Sequence, residues 1–268
     1  MRSPVIFSCL FTSGHFDIHK APVGYRCIFF TNCSFVAKKA AMKGWEPCKL
    51  NVPEGKNDLE NSLISKRIKF LNVLKSREVC GLDLNLTDGV LVFDHKFMVK
   101  TRHVRRIVES TGGKKVVIRA TPRVKSSIWD EVEEAERQER YRHSMPETIQ
   151  FIQNQILRGF NADTLICNTG LIYYADIDFA LPLADLVIDA CDQLQQPECQ
   201  IFWAIFSQSF SAEIKVLDWR AAQVADLQWK DPVGPEKFPD GRSSLWWKLW
   251  WRFQGFIFSL YIALDKRH

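Results

Sequence analysis

One predicted strand ends in three side chains that could carry chemistry. Val92 and Phe93 are followed directly by Asp94, His95 and Lys96. A carboxylate at a strand end can hold a divalent cation, Mn²⁺ or Mg²⁺, against a diphosphate, and an ammonium group can neutralise phosphate charge. We therefore expect a metal and phosphate site here, with Asp94 and His95 as the metal ligands. Taken singly, a strand-end aspartate is more often a turn or cap residue, and a histidine such as His95 is more often a hydrogen-bonded loop residue than a ligand.

Two other segments carry polar groups suited to a sugar or a phosphate. Asn168, Thr169 and Gly170 offer an amide, a hydroxyl and open backbone, although the same tripeptide is typical of a tight turn. A predicted helix start holds an acidic cluster that could contain a base or an acceptor-binding carboxylate, and stabilisation of the helix N-terminus explains most of it. Its members are Asp130, Glu131, Glu133 and Glu134. The sequence contains no GxSxG, P-loop or GxGxxG motif.

Alternating strands and helices are predicted to position these residues. Apolar runs at 5–11, 26–30 and 116–120 indicate buried strands, and helical patterns cover 59–74 and 127–142. This alternation predicts an α/β fold with a largely parallel sheet flanked by helices. Ligands of such sheets bind at the carboxyl ends of the strands, where Asp94 would lie.

The formal net charge of +5 conceals two oppositely charged segments. Residues 94–125 contain ten Lys and Arg against two acidic residues, whereas residues 161–231 contain three against eleven. The basic segment predicts an anionic ligand, or else only the solvated faces of a strand and a helix. Because Phe97 is its single aromatic residue and no docking motif is present, we do not expect nucleic acid as a partner.

The order of the segments resembles a known family. Successive pieces are VIFSCLFTSGHFDIHKAP, YRCIFFTN, GWEPCKL, VFDHKF, KSSIWDEVEEAERQERY, CNTGLIYY and CQIFWAIF. The succession is similar to the glycosyltransferase-like family of plant mucilage-related Golgi proteins and bacterial capsular-polysaccharide proteins. The resemblance extends over roughly residues 5–219, and its most specific pieces are FFTN with GWEP and the helix start at 126–131.

The resemblance implies a GT-A type, hexosyltransferase-like enzyme of surface or capsular polysaccharide synthesis. Its donor would be a nucleotide sugar, its acceptor a glycan or related hydroxyl, and its metal Mn²⁺ or Mg²⁺. Asp94 takes the place of the strand-end acidic motif, and Glu131 and Gln200 are the other implied catalytic residues. The implied donor-binding residues are Gly14 and Asp17 in the first loop, the basic pair Arg67 and Lys69, and Lys96, Thr169 and Gly170.

Two positions depart from the family pattern. Lys96 stands where a second carboxylate would follow Asp94, which argues against strong metal coordination of the Asp-x-Asp kind. Cys199 stands where an Asp precedes the late Gln, with Glu198 one place earlier. An inactive relative that binds a glycan or a protein is therefore the alternative to an enzyme.

The remaining expectations concern organisation and location. We expect an α/β domain over 1–231 and a turn-rich connection with a Trp-rich amphipathic tail over 232–268. Trp and basic side chains from Trp246 to Leu264 predict either a peripheral membrane contact or packing on protein. No secretory signal is predicted, and eight cysteines without zinc spacing indicate thiols in a reducing, cytoplasmic compartment. The oligomeric state is left open.

Overall fold

The computed structural model describes residues 3–11, 18–52, 58–75, 81–83, 87–121 and 125–218. Gly14 and Asp17 lie outside the described residues, and so do the boundary at 231 and the segment from Trp246 to Leu264. The predictions made for these positions stay predictions.

A seven-stranded sheet forms the centre of the described chain, which confirms the α/β prediction. Its strands are Val5–Cys9 (β1), Cys27–Thr31 (β2), Glu46–Lys49 (β3), Val90–Phe93 (β4), Val116–Ala120 (β5), Cys167–Tyr174 (β6) and Ile214–Leu217 (β7). Their order across the sheet is β3-β2-β1-β4-β6-β5-β7. All pairings that involve β6 are antiparallel and the others are parallel, so β6 alone among these strands runs in reverse. The sequence does not predict β7, because polar and apolar residues alternate little over its four residues.

Eight α-helices flank this sheet in the described part of the chain. They are Ser34–Met42 (α1), Asp58–Lys69 (α2), Thr101–Glu109 (α3), Ile128–Glu136 (α4), Glu139–Arg142 (α5), Met145–Leu157 (α6), Ile177–Gln193 (α7) and Cys199–Phe206 (α8). The single helix predicted over 127–142 is in fact α4 and α5, because the chain turns at Arg137 and Gln138. Short 3-10 helices follow α2 and α8, at Asn72–Lys75 and Ser207–Glu213.

Both faces of the sheet are covered, which explains why its central strands are mostly apolar and β4 is apolar throughout. On one face, Val36 of α1 and Val104 of α3 join a buried cluster with Ile6, Phe29 and Leu91. On the other face, Phe7 packs edge-on against Phe30 with ring centroids 5.0 Å apart. There, beyond α2, the ring of Phe70 stacks on Trp203 of α8.

The chain reverses its direction of winding between β1 and β4. From β1 it builds outward through β2 and β3 on one side, and then places β4 on the other side of β1. In open α/β sheets, the crevice at such a switch point, outside the carboxyl ends of the strands, is where ligands bind. Asp94 follows β4 directly and so lies at this crevice.

Within the described residues, no helix is both long enough and apolar enough to cross a bilayer. The seven cysteines described are free thiols, and four of them, Cys27, Cys167, Cys191 and Cys199, are buried.

Gly89 directly precedes β4 and allows β4 to approach β6 closely, at the end of β4 that lies away from Asp94. Its φ is +97°, and a Cβ there would lie 2.2 Å from the carbonyl oxygen of Tyr174. We expect Gly89→Ala to lower the free energy of unfolding in urea by at least about 2 kcal/mol more than Gly24→Ala. Gly24 is the matched control, since its φ is +88° with nothing within 4 Å of the added Cβ. Equal losses in the two variants would contradict the close approach.

Candidate active site

Asp94 is held at the carboxyl end of β4 by the reversed strand beside it. Its backbone N–H donates to the carbonyl of Gly170 at 2.9 Å, and its own carbonyl accepts from the N–H of Phe97. Because β6 runs antiparallel, its first residues reach the same edge at which β4 ends. The sequence-predicted residues Asp94, Thr169 and Gly170 are thus brought to one place.

Gly170 is needed there for space. A Cβ at this position would lie 2.9 Å from Oδ2 of Asp94, 2.8 Å from Cε2 of Phe97 and 2.7 Å from Oδ1 of Asn168. The same Asn168 oxygen accepts the N–H of Gly170 at 2.8 Å. Gly170 therefore lets the Asp94 carboxylate pack directly against the β6 backbone.

Three ammonium groups surround Asp94, and we refer to Lys66, Lys69 and Lys96 as the lysine cluster. Nζ of Lys69 lies 3.0 Å from Oδ1 of Asp94, and Nζ of Lys96 lies 3.9 Å from Oδ2. Lys69 is 5% exposed, whereas the Lys96 side chain is half exposed. Burial by itself would raise the pKa of Asp94, but the charges of Lys69, Lys96 and Lys66 hold it well below its usual range. Asp94 is therefore ionised at any physiological pH.

The last turn of α2 supplies two members of the lysine cluster. Lys66 and Lys69 are three residues apart and so share one face of the helix. The backbone at Lys69 is fixed by Tyr174 of β6, whose hydroxyl donates to the Lys69 carbonyl at 3.0 Å. Arg67 lies on another face and pairs with Asp192 of α7 at 3.1 Å. The predicted basic pair of Arg67 and Lys69 is not brought together at Asp94, and Lys66 takes the place expected for Arg67.

Arg119 and His95 complete the surroundings of Asp94. The guanidinium of Arg119, 1% exposed, lies 4.7 Å from the centre of the Phe97 ring. Burial lowers its pKa to about 10, and the attraction of Asp94 opposes that shift. Burial also lowers the pKa of His95, against the opposing effects of Asp94 and of a hydrogen bond with the Cys9 backbone. His95 is therefore harder to protonate than a free histidine, and it is hydrogen-bonded to the end of β1.

The residues around Asp94 do not fit the predicted divalent cation. One carboxylate oxygen already contacts the buried ammonium of Lys69, and the other faces Lys96 and the backbone of Gly170. Across the described residues, no group of three His, Cys, Asp or Glu side chains could hold a metal ion. The prediction of Asp94 and His95 as metal ligands thus conflicts with the positive charge that the fold concentrates at this point.

Glu131 forms a second carboxylate site, buried near the start of α4. Its Oε1 accepts from Nε2 of Gln200 at 2.6 Å, and its Oε2 contacts the ammonium of Lys125. It is 3% exposed. Burial and the nearby Glu198 raise its pKa to about 7, although Lys125 opposes the shift. Its neighbour Asp130 instead accepts the N–H of Ser127 in a capping box, so this acidic cluster divides between capping and a buried site.

The start of α8 places Glu198, Cys199 and Gln200 beside that site. The Glu198 side chain caps the helix by accepting the Gln200 N–H, and it stays buried. Sγ of Cys199 contacts Oγ1 of Thr169 at 3.1 Å. The carboxylate expected before Gln200 is therefore absent at Cys199, while Glu198 acts electrostatically on Glu131.

A short series of contacts joins the two carboxylate sites. Gly170 packs against Asp94, its neighbour Thr169 contacts Cys199, and Gln200 follows Cys199 and donates to Glu131. Together they form one candidate site with a cationic end and a carboxylate end.

Four residues of this site were not predicted from the sequence: Lys66, Arg119, Lys125 and Glu198. Lys66 had a usable signal, since its spacing of three from Lys69 places both on one helical face. Lys125 lies only six residues before Glu131. Arg119 and Glu198 come from separate elements, and packing brings them near Asp94 and Glu131.

Comparison with known proteins gives distant structural likenesses. No protein-family model and no curated protein matches the chain. The chain is similar to mouse xyloside xylosyltransferase 1 in its apo form, at 12% identity over 81% of this chain and 85% of that one, with a TM-score of 0.42. It is also similar to the apo bifunctional glycosyltransferase WbbM, at 10% identity over 81% of this chain and 38% of that one, with a TM-score of 0.38.

Substitution of Gly170 tests the close packing at Asp94. We expect Gly170→Ala to lower the free energy of unfolding by about 1–3 kcal/mol, because Phe97 and the Asp94 carboxylate must shift. The loss, measured by urea denaturation, is expected to be smaller when the same change is made in a Phe97→Leu background. Additive effects of the two substitutions would contradict direct contact.

The raised pKa of Glu131 predicts a specific pH dependence of stability. Between its ordinary value of 4.5 and about 7, the folded state binds more protons than the unfolded state, so this group's contribution to stability is lost as pH rises through that window. We expect the free energy of unfolding of Glu131→Gln, relative to wild type, to increase from pH 4.5 to pH 8. Glu147→Gln, at an exposed position in α6, controls for the loss of one carboxylate. A constant difference would contradict the shift.

Proposed function

We propose that the chain is a glycosyltransferase that moves a sugar from a nucleotide-diphosphate sugar to a hydroxyl acceptor. The observation that carries the proposal is the lysine cluster at the switch point of the sheet, where Asp94 holds the buried Lys69 ammonium group. The sequence resemblance supports the reaction class. The geometry supports a binding site for a compact, multiply charged anion.

The cationic end suits the leaving group. As the bond between the sugar and the diphosphate breaks, negative charge grows on the departing phosphate oxygen. Ammonium groups already fixed at that point stabilise the charge without having to reorganise, which is the largest single contribution in many enzymes. Lys69 is held in place by burial and by its contact with Asp94. The more exposed Lys96 side chain can move with the departing phosphate.

The carboxylate end suits the acceptor. A carboxylate with a pKa near the working pH is an effective general base for a sugar hydroxyl. Glu131 meets this condition, and Gln200 and Lys125 fix the orientation of its two oxygens. The Glu131 carboxylate would accept the proton of the acceptor hydroxyl as that oxygen attacks the anomeric carbon, and the nucleoside diphosphate would depart with the bonding electrons.

Finer assignments belong to the same proposal. A hexosyl donor, a glycan acceptor and a role in surface or capsular polysaccharide synthesis follow from the family resemblance. We also propose a cytoplasmic location with peripheral membrane contact through residues 246–264.

Donor hydrolysis and transfer on a panel of nucleotide sugars test the proposal. We expect Glu131→Gln to lower kcat by a factor of about 10² to 10⁴, with the KM for the donor little changed and the circular dichroism spectrum retained. Glu134→Gln is the matched control, since Glu134 contacts the same Lys125 at 2.7 Å from the exposed side of α4.

Two results would contradict the enzyme proposal. Failure of every nucleotide and nucleotide sugar to bind at millimolar concentration in calorimetry would remove its basis. Binding without turnover on any acceptor would favour the alternative, an inactive relative that acts as a binding module, which the Thr169–Cys199 contact in place of a carboxylate also favours.

A further inference from the structure

We propose that this chain binds its nucleoside diphosphate without a divalent cation, with the lysine cluster supplying the positive charge. The inference rests on the proposed function, since it concerns how the donor is held. It replaces the metal expected at Asp94 by protein side chains.

One oxygen of the Asp94 carboxylate, Oδ1, is already paired with a buried ammonium group. Nζ of Lys69 contacts Oδ1 at 3.0 Å, and Lys69 is 5% exposed, so this ammonium group cannot leave for solvent when a ligand arrives. The hydroxyl of Tyr174 also binds the Lys69 carbonyl, which fixes the backbone from which the side chain extends. A metal at Oδ1 would therefore have to displace a buried cation.

The second oxygen of the Asp94 carboxylate, Oδ2, also lies close to protein groups. Oδ2 faces Nζ of Lys96 at 3.9 Å, and the Gly170 backbone is so close that an added Cβ would lie 2.9 Å away. Lys96 stands two residues after Asp94, where a second carboxylate would be needed to hold a cation. The position has the opposite charge to that of a metal ligand.

The charges around Asp94 complement a diphosphate and not a divalent cation. Lys66, Lys69, Lys96 and Arg119 all interact electrostatically with Asp94, so the surroundings carry an excess of positive charge. A divalent cation would add to that excess, whereas a diphosphate would neutralise it. In this arrangement Asp94 is a positioning residue that keeps the Lys69 ammonium group in place.

Calorimetric titration of the full chain with UDP and with GDP tests this inference. We expect the stronger ligand to bind in EDTA with a Kd within about threefold of that in excess Mn²⁺ or Mg²⁺. Binding that requires a metal would overturn the inference and leave the proposed function intact. An absence of binding under both conditions would overturn the proposed function, and the inference with it.

Lys96→Asp supplies a second, independent test, because it creates the carboxylate spacing that a cation needs. We expect this variant to bind at least about tenfold more weakly in EDTA and to regain affinity when Mn²⁺ is added. Lys38→Asp on α1 makes the same charge change at another exposed lysine, and we expect it to bind as the wild type does. Wild-type affinity of Lys96→Asp in EDTA, in a variant with an unchanged melting temperature, would overturn the proposal.

Discussion

The ion pair between the buried Lys69 and the partly exposed Asp94 is the interaction on which the site depends. An ammonium group removed from water is strongly destabilising unless a carboxylate faces it. The pair meets that requirement by joining the end of α2 to the end of β4, and Gly170 leaves the space that the Asp94 carboxylate occupies. The reversed strand β6 supplies both this glycine and the Tyr174 hydroxyl, which donates to the Lys69 carbonyl.

The acidic segment at 161–231 supplies α7, whose carboxylates pair with Arg67 and Lys75, both outside the basic segment at 94–125. Acidic residues of α7 pair with basic residues that do not face Asp94, as in Arg67 with Asp192 and Lys75 with Asp185. Such half-exposed pairs contribute little stability, on the order of 0–1 kcal/mol each. The lysine cluster, by contrast, concentrates positive charge around a single carboxylate.

The sequence was sufficient for much of the frame and for the centre of the site. The apolar run before Asp94 predicts a strand end, and the alternation of elements predicts the α/β class, because both depend on local pattern. The choice of Lys66 over Arg67 depends on which face of α2 meets the sheet, which is a matter of packing. The direction of β6 and the contact of Gln200 with Glu131 depend on residues far apart in the chain. No local periodicity carries that information.

The pairing of β5 with β6 has a consequence for how such a chain can change over time. Antiparallel neighbours can be joined by a turn of two residues, yet here the connection contains α4, α5 and α6. The sheet does not need these helices for its topology, so their length and surface can vary while the strands and the lysine cluster stay constant. Because Lys125 and Glu131 lie in this connection while Gln200 lies on α8, a change in the connection alters the carboxylate end of the site without altering the pairing of β4 with β6 that holds Asp94.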